Sequence, residues 1–355
     1  MQPVGCASLV ILIACPASEI LPPMTLPQPV KLLISEPARQ RLGAGLDEAM
    51  QGHAFEVVTP TVDPETAPGD VHIGYWSRDV TGLSTKHDIK APLEAFYASL
   101  RRSPGLQWVH VHSAGADRPF FGELAERNVR ATLSPGVNAD VVAQTALTGL
   151  LMLARHFPLL MAQQRERRWV SLIASGLPAD LMGQTALVAG WGPIGQRIAA
   201  SLRVLGVNVV VARSSSAAVD DETPTLAFED IGKKAGQIDW LVLACPLTDR
   251  TRGWVSREVL SALKPTARLI NVARGEIVDE SALIEALQQG RLAGAYLDVF
   301  EREPLDASSP LWTMENVIVT PHAAGHSDGN ERRVDRLFLD HLRQWVAQRA
   351  ASGQA

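Results

Sequence analysis

Cysteine is scarce in this chain, which has three such residues, Cys6, Cys15 and Cys245, among 355. They are too few and too scattered for a disulfide framework or a zinc site. We therefore expect no metal site, and we expect the protein to work in a reducing, cytoplasmic compartment.

An excess of positive charge is also missing. The chain carries 33 lysines and arginines against 38 aspartates and glutamates, a formal net charge of -5 at pH 7. No global positive field exists to attract nucleic acid or anionic lipid. We expect a small-molecule partner, with neither nucleic acid nor a membrane involved.

The one apolar run near the start, from Ala7 to Cys15, is too short to span a bilayer and follows no Lys or Arg. Leu12-Ile13-Ala14-Cys15 resembles a bacterial lipoprotein cleavage box, so lipidation is one alternative. The other is that Met24 is the true start, because Lys31 to Ser35 has the pattern of a first strand. Residues 1–27 are interpreted as an extension, a targeting signal or a misassigned start.

Short β-type runs alternate with helical patterns along residues 30–345, and no internal repeat interrupts them. This alternation predicts parallel sheets with helices on their faces, and the length favours two domains. In the first half the predicted strands are Lys31 to Ile34, Phe55 to Val58, Val71 to Ile73 and Trp108 to His112, with a helix at Pro92 to Arg101. A helical pattern then runs from Asn138 to Arg168, with a break expected at Pro158.

In the second half the alternation is regular. The predicted strands are Thr185 to Ala189, Val207 to Val211, Trp240 to Ala244, Arg268 to Val272, Gly294 to Val299 and Val317 to Thr320. Asp279 is placed to begin a helix and Gly290 to end it. Six strands with helical crossovers are typical of a doubly wound nucleotide-binding domain. A last helix, from about Arg332 to Arg349, is expected to pack against the N-terminal domain.

One glycine-rich segment has the spacing G-x-G-x-x-G, namely Gly190-Trp191-Gly192-Pro193-Ile194-Gly195. It follows a predicted strand and opens a helix whose apolar residues share one face, which is the context that a dinucleotide-binding loop requires. Gly190 would permit the turn, Gly192 the approach of a pyrophosphate, and Gly195 the close packing of helix on strand. The alternative is a glycine turn without a ligand.

The next predicted strand ends without a carboxylate. Its end reads Ala212-Arg213-Ser214-Ser215-Ser216, and Asp220 lies well beyond it. An acidic residue at this point binds the ribose of NAD, whereas arginine pairs with the 2′-phosphate of NADP and serine adds a hydroxyl donor. NADP is therefore favoured over NAD. The alternative is that Arg213 is a solvated loop charge.

Three later residues have the chemistry that reduction of a 2-keto acid requires. Arg274 follows a strand and has a planar cationic fork that suits a carboxylate; a surface ion pair is the alternative. His322, also past a strand end, could exchange a proton with the substrate oxygen. Glu303 could orient that imidazole, and Glu301 is the rival carboxylate. Asp298 is a candidate contact for the nicotinamide end of the cofactor.

Several motifs, in the same order along the chain, resemble those of the D-isomer-specific 2-hydroxyacid dehydrogenases. Besides the glycine loop they are Ser113-Ala114-Gly115-Ala116-Asp117, Ser134-Pro135-Gly136-Val137-Asn138, Cys245-Pro246-Leu247-Thr248, Asn271-Val272-Ala273-Arg274-Gly275, Asp298 to Pro304 and Thr320-Pro321-His322. The resemblance implies that Arg274 binds substrate and that Glu303 and His322 are the acid/base pair. It further implies that the N–H groups of Ala114 and Gly115 bind the substrate carboxylate, and that Pro246, Ala273 and Asp298 line the cofactor cleft.

The resemblance also implies a homodimer formed through the nucleotide-binding domain. Within the family the chain looks most like glyoxylate/hydroxypyruvate reductases. It departs from the family pattern at Ala143-Gln144-Thr145, where Ala-Glu-His is usual, which puts local contacts of the long helix in doubt. Residues 31–107 match weakly, and there Tyr75, Trp76 and Arg78 are candidates for substrate selectivity, with packing or solvation as the alternative.

The expected fold is α/β, with two Rossmann-like, doubly wound domains built on parallel sheets. A flavodoxin-like substrate domain comprises residues 28–130 and 320–355, and a dinucleotide-binding domain comprises residues 131–319. Two alternative functions remain. A formate dehydrogenase of the same fold would be expected to have Gln where Glu303 stands, and a dinucleotide-sensing co-regulator would bind cofactor without turnover.

Overall fold

A computed structural model describes residues 27–352 of the chain. The predictions for Cys6, Cys15, the run from Ala7 to Cys15 and a start at Met24 lie outside the described residues. The described chain divides into two compact units, one made of residues 27–137 and 328–352 and the other of residues 138–327.

The first unit is built on a five-stranded parallel sheet with the order β2-β1-β3-β4-β5. Its strands are β1 (Val30–Leu33), β2 (Phe55–Val58), β3 (Ile73–Trp76), β4 (Trp108–Val111) and β5 (Arg130–Thr132). Its helices include α1 (Glu36–Leu42), α2 (Gly45–Met50), α3 (Arg78–Thr81), α4 (Ala91–Arg101) and α5 (Phe120–Glu126), with a 3-10 turn at Pro64–Thr66. This strand order is that of flavodoxin-like folds, as expected.

Both faces of this sheet are covered by helices, so its strands are apolar on both sides. Tyr75 and Trp76, on β3, are each 1% exposed and pack on opposite faces. Their aromatic rings therefore belong to the core, and the suggestion that they select substrate is wrong. Arg78 begins α3 and is partly buried, and burial together with the charge of Arg118 lowers its pKa.

The second unit is built on a seven-stranded parallel sheet with the order β12-β11-β10-β9-β6-β7-β8. Its strands are β6 (Thr185–Ala189), β7 (Asn208–Arg213), β8 (Thr225–Ala227), β9 (Trp240–Leu243), β10 (Arg268–Asn271), β11 (Gly294–Leu297) and β12 (Val317–Val319). Its helices are α6 (Ala139–Ala154), α7 (Phe157–Arg165), α8 (Leu172–Ser175), α9 (Pro193–Val204), α10 (Arg257–Ala262) and α11 (Glu280–Gln288). Short 3-10 turns lie at Phe228–Lys233, Ala235–Gln237, Gly275–Ile277 and Pro310–Trp312.

Strands β6 to β11 have the doubly wound order of a Rossmann domain, and β12 adds one more parallel strand at the edge of the sheet. The expected α/β class and the six expected strands are confirmed, and β8 is an additional edge strand. The side chain of Asp279 accepts a hydrogen bond from the backbone N–H of Ala282 at 2.9 Å, so it caps α11 as predicted. Gly290, with φ of 66°, follows the end of that helix.

The single long helix predicted across residues 138–168 is two helices, α6 and α7, bent by 72°. The break lies at Arg155 and His156, and His156 has a left-handed φ of 57°. Pro158 stands in the first turn of α7, where its missing N–H costs no helical hydrogen bond. The proline therefore begins the second helix, and the chain turns just before it.

The last helix, α12 (Asn330–Ser352), packs on the first unit as expected, through Val334, Phe338, Leu342, Trp345 and Val346. The unit boundaries fall at residues 137/138 and 327/328, later than the expected 130/131 and 319/320. The first difference arises because β5 pairs with β4. The second arises because residues 322–324 donate backbone hydrogen bonds to Asp298 of the second unit.

Within residues 27–352, no helix alone has the length and apolar character needed to cross a membrane; the strongly bent pair α6 and α7 meets those criteria only when taken together.

Candidate active site

The candidate site residues of the second unit lie at the carboxyl ends of its strands. Because the strands are parallel, these ends share one edge of the sheet, where open α/β folds bind ligands. The glycine loop follows β6, Arg213 ends β7, Pro246 follows β9, Arg274 follows β10, Asp298 follows β11, and His322 follows β12. Since β10, β11 and β12 are neighbours, the last three residues come from adjacent strand ends.

The glycine loop has three different spatial requirements. Gly190 has φ of 101°, and a Cβ there would lie 2.8 Å from the carbonyl oxygen of Ala244. A Cβ on Gly195 would lie 2.1 Å from the carbonyl oxygen of Gly190, so the helix can approach the strand only with glycine at this position. At Gly192 a Cβ would meet nothing within 4 Å, so the backbone there borders open space.

Helix α9 begins at Pro193, and its first residue is preceded by Gly192, which offers no capping side chain. Ile198 and Leu202 are buried, and Ile194 packs partly against the same core, which confirms the predicted apolar face. The N-terminus of α9 therefore opens beside Gly192 with N–H groups and a positive dipole end that suit a phosphate.

A cleft of about 580 Å³ lies next to the loop. It is lined by Gly190, Trp191, Gly192, Arg213, Ser214, Phe228, Cys245, Pro246, Thr248, Asp249, Arg250 and Thr251. The open space at Gly192, the uncapped helix and the size of the cleft together fit a dinucleotide. Cys245 is buried, and burial raises the pKa of its thiol to about 12, so it is a protonated packing residue at neutral pH.

The end of β7 offers a guanidinium to this cleft. The side chain of Arg213 is partly buried and forms no hydrogen bond or ion pair with any other described residue, and Ser214 beside it is exposed. Asp220 is the next acidic residue, and its carboxylate accepts hydrogen bonds from the N–H groups of Glu222 and Thr223. A hydrogen bond with the side chain of Thr223, together with these backbone contacts, lowers the pKa of Asp220 and engages it in a local turn.

Arg250 is a residue of the cleft that the sequence patterns did not single out. Its Nη1 donates to the carbonyl oxygen of Ser214 at 3.0 Å, and its Nη2 lies 3.2 Å from Oε1 of Glu229. The sequence gives little indication of its role, because Arg250 lies five residues after Cys245, outside the motif Cys245-Pro246-Leu247-Thr248. The cleft therefore has a second guanidinium close to Ser214.

The turn after β10 is held by the buried side chain of Asn271. Its Oδ1 accepts from the N–H of Ala273 at 3.0 Å, and its Nδ2 donates to the carbonyl oxygen of Arg274 at 3.0 Å. Gly275 follows, where a Cβ would lie 1.8 Å from the carbonyl carbon of Phe300. Asn271 and Gly275 fix the backbone on either side of Arg274. They also let this backbone approach the acidic segment after β11.

His322 and Glu303 are in direct contact. The imidazole Nδ1 lies 2.8 Å from Oε2 of Glu303, while Oε1 of the same carboxylate accepts from the N–H of Phe300 at 3.2 Å. The Glu303 side chain is 13% exposed and that of His322 is 49% exposed. With Nδ1–H donating to the carboxylate, Nε2 is the nitrogen left to exchange a proton with another molecule. Glu301 is exposed, and its N–H donates to Glu280.

Asp298 is buried and binds the loop that carries His322. Its Oδ1 accepts from the hydroxyl of Thr320 at 2.6 Å and from the N–H of Ala323 at 2.8 Å, and its Oδ2 accepts from the N–H of Ala324 at 2.9 Å. Its carbonyl oxygen accepts from the N–H of His322, which has a left-handed φ of 51°. Asp298 therefore holds His322 in an uncommon backbone conformation, and its contact with a cofactor stays a prediction.

The unusual Thr145 of α6 supports the same loop. Its hydroxyl lies 3.0 Å from the carbonyl oxygen of Val141 and 3.2 Å from that of Ala324, and it can donate to either. At this departure from the family pattern, Thr145 therefore forms a hydrogen-bonding contact with the His322 loop.

In the first unit, the loop after β4 carries Ala114 and Gly115. The hydroxyl of Ser113 donates to the carbonyl oxygen of Gly115 at 3.0 Å, which shapes the loop. Within the described residues, the N–H groups of Ala114 and Gly115 have no acceptor. Both are therefore available as donors.

Comparison with known proteins places this chain in a family. Residues 147–324 match the model of the D-isomer specific 2-hydroxyacid dehydrogenase, NAD binding domain. The chain belongs to the D-isomer specific 2-hydroxyacid dehydrogenase family. It is therefore an oxidoreductase with an NAD(P)-binding domain, as the glycine loop and strand order predicted.

Individual members of this family agree with that assignment. A glyoxylate reductase of Thermococcus gammatolerans is 32% identical over 270 residues, which are 75% of this chain and 79% of the relative. The crystal structure of a family member from Xanthobacter autotrophicus with NADPH and MES is 29% identical and has a TM-score of 0.69, with 90% of this chain and 95% of that one covered. An NADPH-dependent glyoxylate/hydroxypyruvate reductase of Sinorhizobium meliloti, with NADP and malonate, is 27% identical with a TM-score of 0.65, covering 90% and 94%.

Proposed function

We propose that this dehydrogenase reduces glyoxylate, hydroxypyruvate or a similarly small 2-keto acid to the D-2-hydroxy acid with NADPH. The observation that carries the proposal is the contact of 2.8 Å between His322, after β12, and Glu303, after β11. Arg274 follows β10, which is the neighbour of β11. Bound NADPH would supply the hydride for the carbonyl carbon. The names of the Thermococcus and Sinorhizobium relatives support this substrate class.

In this proposal His322 donates a proton from Nε2 to the carbonyl oxygen of the substrate as that oxygen gains charge. Glu303 keeps the imidazole oriented through Nδ1, so that Nε2 faces the substrate. In the reverse direction His322 accepts the proton from the hydroxyl group. Asp298 holds the loop that carries His322 and, in this proposal, also lines the cofactor cleft.

Arg274 binds the substrate carboxylate and polarises the carbonyl group beside it. Its Nη1 donates to the carbonyl oxygen of Ala273 at 2.7 Å, which orients the guanidinium. Ala114 and Gly115 complete the binding of the carboxylate through their N–H groups.

The test is a panel of 2-keto acids, namely glyoxylate, hydroxypyruvate, pyruvate and bulkier analogues, assayed with NADPH and with NADH. Oxidation of NADPH with glyoxylate or hydroxypyruvate is expected. Formate oxidation in place of keto-acid reduction would favour the formate dehydrogenase alternative, against which Glu303 argues. Saturable cofactor binding without turnover of any acid would favour the co-regulator alternative.

The preference for NADP rests on Arg213 and Ser214 at the end of β7. Arg213 lines the cleft without a partner among the described residues, and Arg250 approaches the same Ser214. Arg213 and Arg250 both line the cleft, and guanidinium groups suit the doubly charged 2′-phosphate that distinguishes NADP from NAD. The NADPH and NADP in the Xanthobacter and Sinorhizobium structures agree with this preference.

Replacing Arg213 with alanine should raise the KM for NADPH about 10- to 100-fold, because a hydrogen bond to a charged group is lost. The KM for NADH should change little. Binding of 2′,5′-ADP against 5′-AMP, measured by calorimetry, separates this effect from turnover. Arg252→Ala, an exposed arginine of the neighbouring loop that does not line the cleft, is the matched control. A wild-type preference for NADH would contradict the assignment.

The proposal includes a homodimer formed through the nucleotide-binding unit, working in the cytoplasm. Seven large apolar residues within residues 151–182 of that unit are exposed, namely Leu151, Phe157, Met161, Trp169, Ile173, Leu177 and Met182. So many exposed apolar side chains in one stretch of chain are typical of a surface that a protein partner covers. Trp169, fully exposed at 101%, is the strongest candidate for an anchor.

Light scattering should give a mass of twice 38.3 kDa for the wild type. Trp169→Glu should raise the dissociation constant of the dimer at least about 30-fold, because anchoring tryptophans contribute about 2 kcal/mol or more. Val204→Glu changes an equally apolar residue, 87% exposed on α9, and should leave the dimer intact. A monomeric wild type at assay concentrations would rule out the dimer.

A further inference from the structure

A small cavity lies in the first unit where α12 crosses β5. Arg130 and Thr132 of β5 line it together with His341 and Trp345 of α12. Its volume of about 30 Å³ is sufficient for one or two particles the size of water. A nucleotide, a phosphate ester or a 2-keto acid is too large for this space.

Arg130 presents a positive charge to the cavity without an internal counter-charge. Its side chain is partly buried, and its Nε is shielded from solvent and has no hydrogen-bond partner among the described residues. Burial lowers the pKa of this guanidinium, and no described carboxylate forms an ion pair with it. A buried charge is costly unless a counter-charge or hydrogen bonds compensate it, so the site favours an anion.

Trp345 adds a second unused donor. It is 2% exposed, and its Nε1 has no acceptor among the described residues. The guanidinium carbon of Arg349 lies 4.3 Å from the centre of its ring, while Nε of Arg349 donates to Gln107 at 2.9 Å. Trp345 therefore adds a second buried N–H without a partner, after that of Arg130, and a second arginine lies over its ring.

The surrounding charges reinforce the positive potential. The charge of Arg130 lowers the pKa of both Arg349 and His341, after burial, which is the larger cause in each case. Asp340 acts on His341 in the opposite direction, but its carboxylate is paired with Arg343 at 2.7 Å. No other acidic group contributes to the shifts of Arg130, His341 or Arg349.

We propose that this cavity binds one small monovalent anion of halide size, such as chloride. The Nε–H of Arg130 and the Nε1–H of Trp345 donate to it, and Arg130 and Arg349 supply the balancing charge. A spherical ion little larger than water fits the volume. Because the anion contacts both β5 and α12, it stabilises the packing of α12 on the sheet. The proposal does not depend on the proposed reaction.

The test is thermal unfolding of the full chain at constant ionic strength, with sodium chloride replacing sodium gluconate. Binding to the folded state alone should raise the unfolding midpoint by about 3 °C at a chloride concentration well above the dissociation constant. Arg130→Gln and Trp345→Phe should abolish or strongly reduce this response. Trp345→Phe keeps an aromatic ring in the core and removes only the N–H donor. This variant therefore still tests the proposal if Arg130→Gln fails to fold.

Arg127→Gln is the matched control, because the Arg127 guanidinium donates to the carbonyl oxygens of Leu100 and Ser103 and should not affect the ion. Crystals soaked in bromide should show an anomalous peak in the cavity. Equal unfolding midpoints in chloride and gluconate, or a cavity holding water or a carboxylate of the chain itself, would overturn the proposal.

Discussion

Replacing His322 with glutamine is expected to lower kcat for reduction of glyoxylate about 1,000-fold, because general acid catalysis contributes about 10²- to 10⁴-fold. Glutamine keeps a polar side chain of similar reach beside Glu303 but cannot donate a titratable proton to the substrate. The KM for the keto acid and the dissociation constant of NADPH should change little, since the arginine and the glycine loop are intact. Steady-state kinetics and a fluorescence titration of NADPH measure these quantities separately.

His326→Gln is the matched control for this variant. His326 lies four residues further along the same loop and is exposed. It should retain wild-type turnover. Undiminished activity of His322→Gln would remove the acid/base assignment, whatever the cofactor preference proves to be.

Replacing Arg274 with alanine is expected to affect both binding and turnover. The KM for the keto acid should rise about 10-fold or more, because a hydrogen bond between charged groups is lost. The kcat should also fall about 100-fold, because the guanidinium polarises the carbonyl group in the transition state. Arg274→Lys should recover only part of this loss, since an ammonium group cannot form two parallel hydrogen bonds with a carboxylate.

Arg302→Ala controls for the loss of a positive charge near the site. Arg302 is exposed and lies one residue before Glu303, so its removal changes the local charge while the proposed contacts stay intact. We expect near wild-type kinetics. An Arg274→Ala variant with unchanged KM and kcat would show that another cation binds the substrate.

The regular elements follow closely from local pattern. The predicted and observed ranges of β6 coincide, and Asp279 caps α11 as expected. The strands β5 and β8 escaped prediction because each has three residues at a sheet edge, too few to show a two-residue alternation. The sequence predicts a helix break at Pro158, whereas the break lies at Arg155 and His156, because the turn depends on the left-handed backbone of His156.

The sequence predicts the types of residue in the candidate site, but it predicts less well which residues contact one another. A strand-end arginine, a histidine and a nearby carboxylate could be recognised one by one. That Glu303 contacts the imidazole while Glu301 does not follows from the path of the loop after β11. The buried role of Tyr75 and the approach of Arg250 to Ser214 also depend on neighbours distant in sequence.

The amino-acid sequence by itself determined where the strands and helices form, because apolar periodicity, caps and glycine spacing act over a few residues. It also determined that a glycine loop opens onto a helix at residues 190–195. Only the tertiary structure decided which side chains meet. Strand order sets which ends are adjacent, and close contacts such as that of Gly275 with Phe300 bring segments about 25 residues apart together by steric fit.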